Sequence, residues 1–138
     1  MNNLSQNCII KRSNAGATAG TGTTTATNVD LGPGGFGNVI FVVPLSSVTG
    51  GGTVTLSAEG SNDLSDWDAL TGSKAATAAG VLALEIVRPQ YRYVRAKVVR
   101  ADANSAFDCI LSILTEPRDA PPEDSTFYVG AFVSPAAV

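Results

Sequence analysis

The feature that most constrains the fold of this chain is a recurrent two-residue alternation of apolar and polar side chains. In residues 53–59, Val54, Leu56 and Ala58 alternate with polar Thr, Ser and Glu. Successive side chains of a β-strand point to opposite faces, so such a segment buries one face and leaves the other in water. Helical periodicity is hard to find, and the pattern predicts an all-β fold.

Similar runs, rich in β-branched residues and bounded by Gly, Pro, Asn or Asp, recur along the chain. They predict strands over residues 8–11, 23–29, 38–43, 53–59, 81–87, 91–100 and 106–115. Each amphipathic sheet must bury one face against another sheet. About seven strands therefore predict a two-sheet antiparallel β-sandwich, either jelly-roll or immunoglobulin-like.

Two local expectations accompany this pattern. Residues 14–28 are nearly all Gly, Ala and Thr, which predicts a flexible loop that runs into the second strand. The last two strands are expected to form a hairpin around residues 101–105. The side chains predicted to point inward from the final strand are Phe107, Cys109, Leu111 and Ile113.

The third predicted strand is apolar without interruption, since residues 39–43 read Val-Ile-Phe-Val-Val. A strand of this kind is typical of a sheet covered on both faces. One cover is the core of the sandwich, and another subunit is the expected cover of the second face.

The C-terminal part of the chain divides from the rest at residue 117. Residues 117–124 are Pro-rich and acidic and predict an extended linker, so the sandwich domain spans residues 1–116 and the arm spans residues 117–138. The arm carries too much apolar surface to remain in water and is predicted to dock on a partner. Its candidate interface residues are Phe127, Tyr128, Val129, Phe132 and Val133.

The charge content argues for protein partners. Charged residues make up 15% of the chain, against about 25% in an average soluble domain. The net charge of −3 disfavours a nucleic-acid partner, which would require many phosphate-neutralising cations. No stretch approaches the ~20 apolar residues of a membrane span, and residues 1–7 lack the features of a secretory signal. We expect synthesis in a cytoplasm and no membrane partner.

The inventory of reactive groups argues against an enzyme. The chain has no His, and nothing else is placed to activate its serines or its two cysteines, Cys8 and Cys109, which are expected to be buried free thiols. A glycosidase pair could come only from carboxylates such as Glu59, Asp63 or Glu85, and no spacing favours one pair. We therefore expect no enzymatic activity and no cofactor.

Residues 62–68 form an acidic loop that could bind a ligand, with Asp63, Asp66, Trp67 and Asp68 as candidates. Their spacing lacks the pattern of an EF-hand calcium loop, so no metal is expected. The alternative is that Asp and Asn side chains cap the turn through backbone amides while Trp67 covers the sandwich edge.

Alternating residues of the sixth predicted strand place aromatic and basic side chains together: Tyr91, Tyr93, Arg95 and Lys97. Side chains of these types are enriched in protein interfaces, which is the favoured interpretation. An ordinary solvated strand face and a stacking platform for sugars or bases are the alternatives.

Residues 59–70, followed by residues 88–95 and 104–108, resemble small β-sandwich proteins encoded among the head genes of tailed phages. The same pattern is similar to galactose-binding-like β-sandwiches. The phage resemblance implies a capsid decoration (cement) protein on the capsid exterior of a virion, with no catalytic residue. Such proteins are usually homotrimers seated where subunits of the major capsid protein meet.

Two other functions are compatible with the same residues. A carbohydrate-binding module would use Trp67, Tyr91 and Tyr93 as its stacking platform. A head-fibre or tail-fibre component would share the sandwich and the self-association.

Overall fold

The computed structural model describes residues 8–32 and 36–117 of the 138. These residues form nine antiparallel strands and no helix. The strands are β1 (Cys8–Asn14), β2 (Ala17–Thr25), β3 (Val29–Asp30), β4 (Phe36–Val48), β5 (Thr53–Ser61), β6 (Asp68–Ala76), β7 (Gly80–Val87), β8 (Tyr93–Phe107) and β9 (Ile110–Pro117). The all-β prediction is confirmed, with nine strands where about seven were predicted.

The strands pack as an antiparallel β-sandwich, as the alternation predicted. The first sheet has the order β1-β9-β4-β7. In the second sheet β6, β5 and β8 are neighbours, and β2 and β3 pair with the far side of β8. The two sheets join at one corner, where the end of β4 pairs with the end of β8, Leu45 opposite Phe107 and Val48 opposite Ser105.

The core lies between the two sheets and follows the two-residue alternation. Val54, Leu56 and Ala58 of β5 are at most 1% exposed. They share one core cluster with buried side chains of the other strands, including Val39, Phe41, Val43, Leu82, Val94, Ala96, Val98 and Ile110. Burial of this apolar surface is the main favourable term in folding.

The predicted hairpin around residues 101–105 is wrong. β8 continues through these residues with a bend at Asp102, whose φ is +69°, and it ends at Phe107. The chain turns at Asp108, whose backbone N–H donates to the carbonyl of Pro44. β9 then belongs to the first sheet, between β1 and β4, and does not pair with β8.

The shifted turn also reverses the predicted faces of β9. Ile110, Ser112 and Leu114 point into the core, whereas Leu111 and Ile113 point outward and are half-buried. A change of one residue in register moves every side chain of a strand to the opposite face. Cys109 precedes the strand and is half-buried.

The strand boundaries differ from prediction at two further places. Residues 17–25 form β2 instead of a loop, and β6 was not predicted from sequence. β6 pairs only with β5, and β2 pairs only with β8 among the described strands. Strands at a sheet edge have little to bury, so their small exposed residues show no apolar alternation.

Candidate functional site: the outer faces of the two sheets

The outer face of the second sheet carries a charged cluster built on β5 and β8. The Oε2 atom of Glu59 lies 2.8 Å from Nε and 2.7 Å from Nη2 of Arg95, which sits directly opposite it in the register. Lys97 Nζ lies 3.6 Å from Oε1 of the same carboxylate. The Arg95 guanidinium also stacks on Trp67, 3.9 Å from the ring centroid. The sequence placed Arg95 and Lys97 on one strand face, and the structure adds Glu59 and Trp67 to the same contiguous group.

Tyr93 shares this face, but Tyr91 does not. Tyr91 precedes β8 and packs its ring against Gly60, on the side of β5 that carries the core residues. Its hydroxyl donates to Oδ2 of Asp68 at 3.2 Å. That hydrogen bond and the nearby negative charge raise the pKa of the phenol. The predicted stripe of four residues is therefore a surface group of three.

Arg92, which lies between the two tyrosines in the sequence, forms an ion pair with Asp30 of β3. Its Nε and Nη2 each lie 3.0 Å from a carboxylate oxygen of Asp30, and its guanidinium lies 5.0 Å from the Tyr93 ring centroid. The bidentate bond to Asp30 raises the pKa of Arg92. Sequence reasoning missed this pair because β3 is only two residues long and its register is not visible in the sequence.

The acidic loop satisfies its own hydrogen bonds. Asp63 Oδ1 accepts from the backbone N–H groups of Ser65 and Asp66, both at 2.8 Å, and from the Ser61 hydroxyl at 3.0 Å. Ser61 Oγ in turn accepts from the backbone N–H of Leu64 at 3.0 Å. The amide bonds hold the pKa of Asp63 below its usual value.

Of the candidate ligand residues of this loop, Asp63 caps it with its carboxylate, and Asp66 donates its backbone N–H to that cap. Asp68 is in β6 and bonds Tyr91, and Trp67 stacks on Arg95. Within residues 8–32 and 36–117, no group of three or more potential metal ligands is close enough to hold an ion.

The structure does not bring the candidate catalytic carboxylates together. Glu59 is on the outer face of the second sheet, whereas Glu85 is on the outer face of the first sheet, opposite Ile40. Asp63 is in the capped loop. Glu59 and Glu85 therefore lie on opposite sides of the sandwich and do not form an acid and base pair with each other.

The outer face of the first sheet carries an apolar area bordered by two exposed charged residues, Glu85 opposite Ile40 and Arg12 opposite Leu111. We call this surface the apolar face; it consists of Ile40, Val42, Val81, Ala83, Leu111 and Ile113. Val81 is 68% exposed, and Val87 next to the face is 62% exposed. The unbroken apolar run of β4 predicted such a face. The contribution of β9, Leu111 and Ile113, was missed because the predicted register of β9 was shifted.

The two cysteines are free thiols at opposite ends of β9. Cys8 is opposite Thr115, and Cys109 comes immediately before Ile110. Cys8 is 2% exposed, and burial raises its pKa. Cys109 is only half-buried, which corrects the expectation that both are buried.

The predicted arm residues Phe127, Tyr128, Val129, Phe132 and Val133 lie outside the described residues. No helix long and apolar enough to cross a membrane occurs in the part of the chain that the structure describes.

Comparison with known proteins shows the fold. No protein-family model matches the chain, and no curated protein matches it. Among solved structures, PBSX exported protein XepA is similar over 96% of this chain, with a TM-score of 0.60 and 20% identity. The chain spans 46% of the length of XepA, so the match covers less than half of that protein.

Two further structures match with lower scores. The Bacillus endospore appendages, a family of disulfide-linked pili, match 79% of this chain with a TM-score of 0.44 and 14% identity. PirA matches 80% with a TM-score of 0.34 and 12% identity.

Proposed function

We propose that this chain is a structural virion protein that binds the outer surface of a phage capsid and stabilises contacts between major capsid subunits. The observation that carries the proposal is the apolar face. A sheet face left to water is normally polar, so an apolar one requires a protein cover. The chain is proposed to act as a homotrimer, in many copies for each capsid.

The rest of the described surface is consistent with a binding protein that catalyses no reaction. The carboxylates that could serve as acid and base lie apart, and the acidic loop uses its polar groups to cap itself. The charged cluster around Arg95 is of the composition found in protein interfaces. The sequence likeness to phage head proteins supplies the capsid as the partner, and the fold shared with a PBSX protein fits a phage origin.

Carbohydrate binding has less support from the geometry. One face of Trp67 is already covered by the Arg95 guanidinium, and Tyr91 is turned toward Gly60. Trp67, Tyr91 and Tyr93 therefore do not form the shared platform that sugar stacking requires. A fibre component would use the same apolar face on a different part of the particle.

Co-sedimentation of the purified chain with empty capsids tests the proposal. We expect the chain to pellet with capsids to a saturating ratio, and Val81→Asp to reduce that binding by about tenfold or more, equivalent to at least about 1.4 kcal/mol. Leu64→Asp is the matched control, since Leu64 is also an exposed apolar residue, 48% accessible, but lies in the capped loop. Failure of the wild-type chain to pellet at micromolar concentration would overturn the proposal.

A further inference from the structure

The apolar face is large and continuous because the register aligns its residues in rows. Ile40 is opposite Ile113 on one side, and Val42 is opposite Leu111 on one side and Ala83 on the other. Directly opposite side chains in an antiparallel pair have Cβ atoms about 4.5–5.5 Å apart, close enough to form one surface. The Val42 row crosses three neighbouring strands, β9, β4 and β7, and is followed by Arg12 on β1, whereas the Ile40 row crosses β9 and β4 and ends at Glu85 of β7.

The second sheet shows what a solvated face of this protein looks like. There the corresponding outward positions of β5 are Thr55, Ser57 and Glu59, and those of β8 include Arg95 and Lys97. The difference between the two sheets is therefore specific to one side of the sandwich. Water suits the polar face, whereas the apolar face requires an apolar occupant.

The chain itself supplies a segment of suitable composition. Twenty-one residues, 118–138, follow β9 beyond the described part, and residues 127–133 read Phe-Tyr-Val-Gly-Ala-Phe-Val. This run carries one glycine and no charge. An apolar face and an apolar segment in one chain are chemically complementary.

β9, which contributes Leu111 and Ile113 to the apolar face, is the strand that directly precedes this segment in the chain. β9 lies inside the first sheet, between β1 and β4, and its last residue is Pro117, opposite Phe36. The four strands of the sheet span about 14 Å at about 4.8 Å per strand. The segment therefore follows directly from a sheet that is about 14 Å wide.

The sequence between β9 and the apolar run is long enough to reach a neighbouring copy. Residues 118–124 contain Pro121 and Pro122, and none of residues 118–129 is glycine. A Pro-rich spacer extends by about 3.1 Å per residue, so seven residues of this composition would reach about 22 Å. That reach exceeds the width of the sheet, and the proposed self-association supplies a neighbouring copy for the apolar run to bind.

From these observations we infer that the apolar face binds residues 125–138 of a neighbouring copy, so that each subunit of the oligomer inserts its C-terminal segment onto the next. This inference deepens the proposed function and rests on it only for the need to self-associate: the apolar face would join subunits of the oligomer, and Val81→Asp would weaken capsid binding by breaking that multivalent oligomer. Phe127, Val129 and Phe132 are the expected anchors.

Photocrosslinking in an isotopically mixed sample tests this inference. The full chain carries p-benzoylphenylalanine in place of Val81, and equal amounts of ¹⁵N-labelled and unlabelled protein are mixed under mild denaturant, refolded, irradiated and digested. We expect mass spectrometry to join the peptide of residue 81 to residues 125–138 in mixed-isotope pairs. Crosslinks within one chain only, crosslinks to other segments, or no crosslinks would each overturn the inference.

One double variant and one control sharpen the result. The double variant Phe127→Ser/Phe132→Ser should lose at least about tenfold of the crosslinked product, a change of about 1.4 kcal/mol. Its light-scattering mass should fall toward that of the 14.1 kDa monomer. The control places the photoreactive residue at Leu64 and should give no link to residues 125–138. No capsid is present, so loss of crosslinks with capsid binding retained would reject the inference alone.

Discussion

Glu59 and Arg95 face each other directly across β5 and β8, with Oε2 of the acid 2.8 Å from Nε and 2.7 Å from Nη2 of the base. The side chain of Glu59 is 16% exposed and that of Arg95 is 27% exposed, so water screens the pair less than it screens a free surface pair. The stacked Trp67 excludes further solvent from the guanidinium. This cluster fixes the β5–β8 register on the polar side of the sandwich.

A double-mutant cycle on this pair measures its coupling. Glu59→Gln and Arg95→Met should each destabilise the protein, and their coupling free energy should be about 1 kcal/mol, above the usual value for exposed pairs. Urea unfolding of the wild type, both single variants and the double variant gives the coupling. A coupling free energy within error of zero would contradict this prediction and would mean that the pair orients its two side chains without stabilising the fold.

Gly60 is required by the ring of Tyr91. A Cβ added at Gly60 would lie 2.5 Å from both Cγ and Cδ2 of Tyr91 and 2.9 Å from its Cβ. Gly60→Ala should therefore lower the free energy of unfolding by about 1–3 kcal/mol, as overpacking does elsewhere. Gly50→Ala is the control, because an added Cβ there meets no atom within 4 Å. Equal stability of the two variants in thermal unfolding would contradict the packing.

Asp63 should make the stability of the protein pH-dependent in acid. Its pKa is lowered in the folded state from the ordinary value of 3.8 by the amides of Asp66 and Ser65 and the Ser61 hydroxyl. The stabilisation is therefore present above about pH 4 and is lost as pH falls through the lower folded-state pKa. Asp63→Asn should reduce the loss of stability between pH 5 and pH 2.

The thermal midpoint across that pH range measures this effect. Ser61→Ala, which removes one donor to the carboxylate, should give an intermediate pH dependence. An Asp63→Asn profile that overlays the wild type would show that the loop amides do not favour the charged carboxylate.

The two thiols should differ in reactivity. Cys8 is 2% exposed with a raised pKa, whereas Cys109 is half-buried in the turn before β9. Because the thiolate is the reactive form, a disulfide reagent at pH 8 should modify Cys8 at least about tenfold more slowly than Cys109. Cys109→Ser should remove the fast phase. Two thiols reacting at one rate in native buffer would contradict the burial of Cys8.

The buried face of the second sheet could be predicted from sequence, whereas the side-chain contacts on its outer face could not. Residues 53–59 and 93–98 alternate strictly, so the buried sides of β5 and β8 follow from a period of two. The contact of Arg95 with Trp67 and Glu59 depends on the cross-strand register, which no local pattern encodes. The capping of the acidic loop was among the expectations because Asp and Ser bond their own backbone in turns.

The faces of β9 show where pattern reasoning fails. Residues 101–105 read Ala-Asp-Ala-Asn-Ser, a composition typical of a turn, but they are accommodated as a bend within β8 at Asp102. The true turn at Asp108 moves β9 to the other sheet and reverses the faces of Leu111 and Ile113. As a result, two of the six residues of the apolar face were assigned to the core.

Capsid stability tests the central claim most directly. Empty capsids are heated with increasing amounts of the chain, and shell opening is followed by dye access to the interior. The proposed function predicts that the opening temperature rises and saturates at a fixed ratio of chain to capsid, with Leu64→Asp behaving as wild type and Val81→Asp giving little rise. An opening temperature that does not change at saturating chain would contradict the claim that this protein stabilises a capsid.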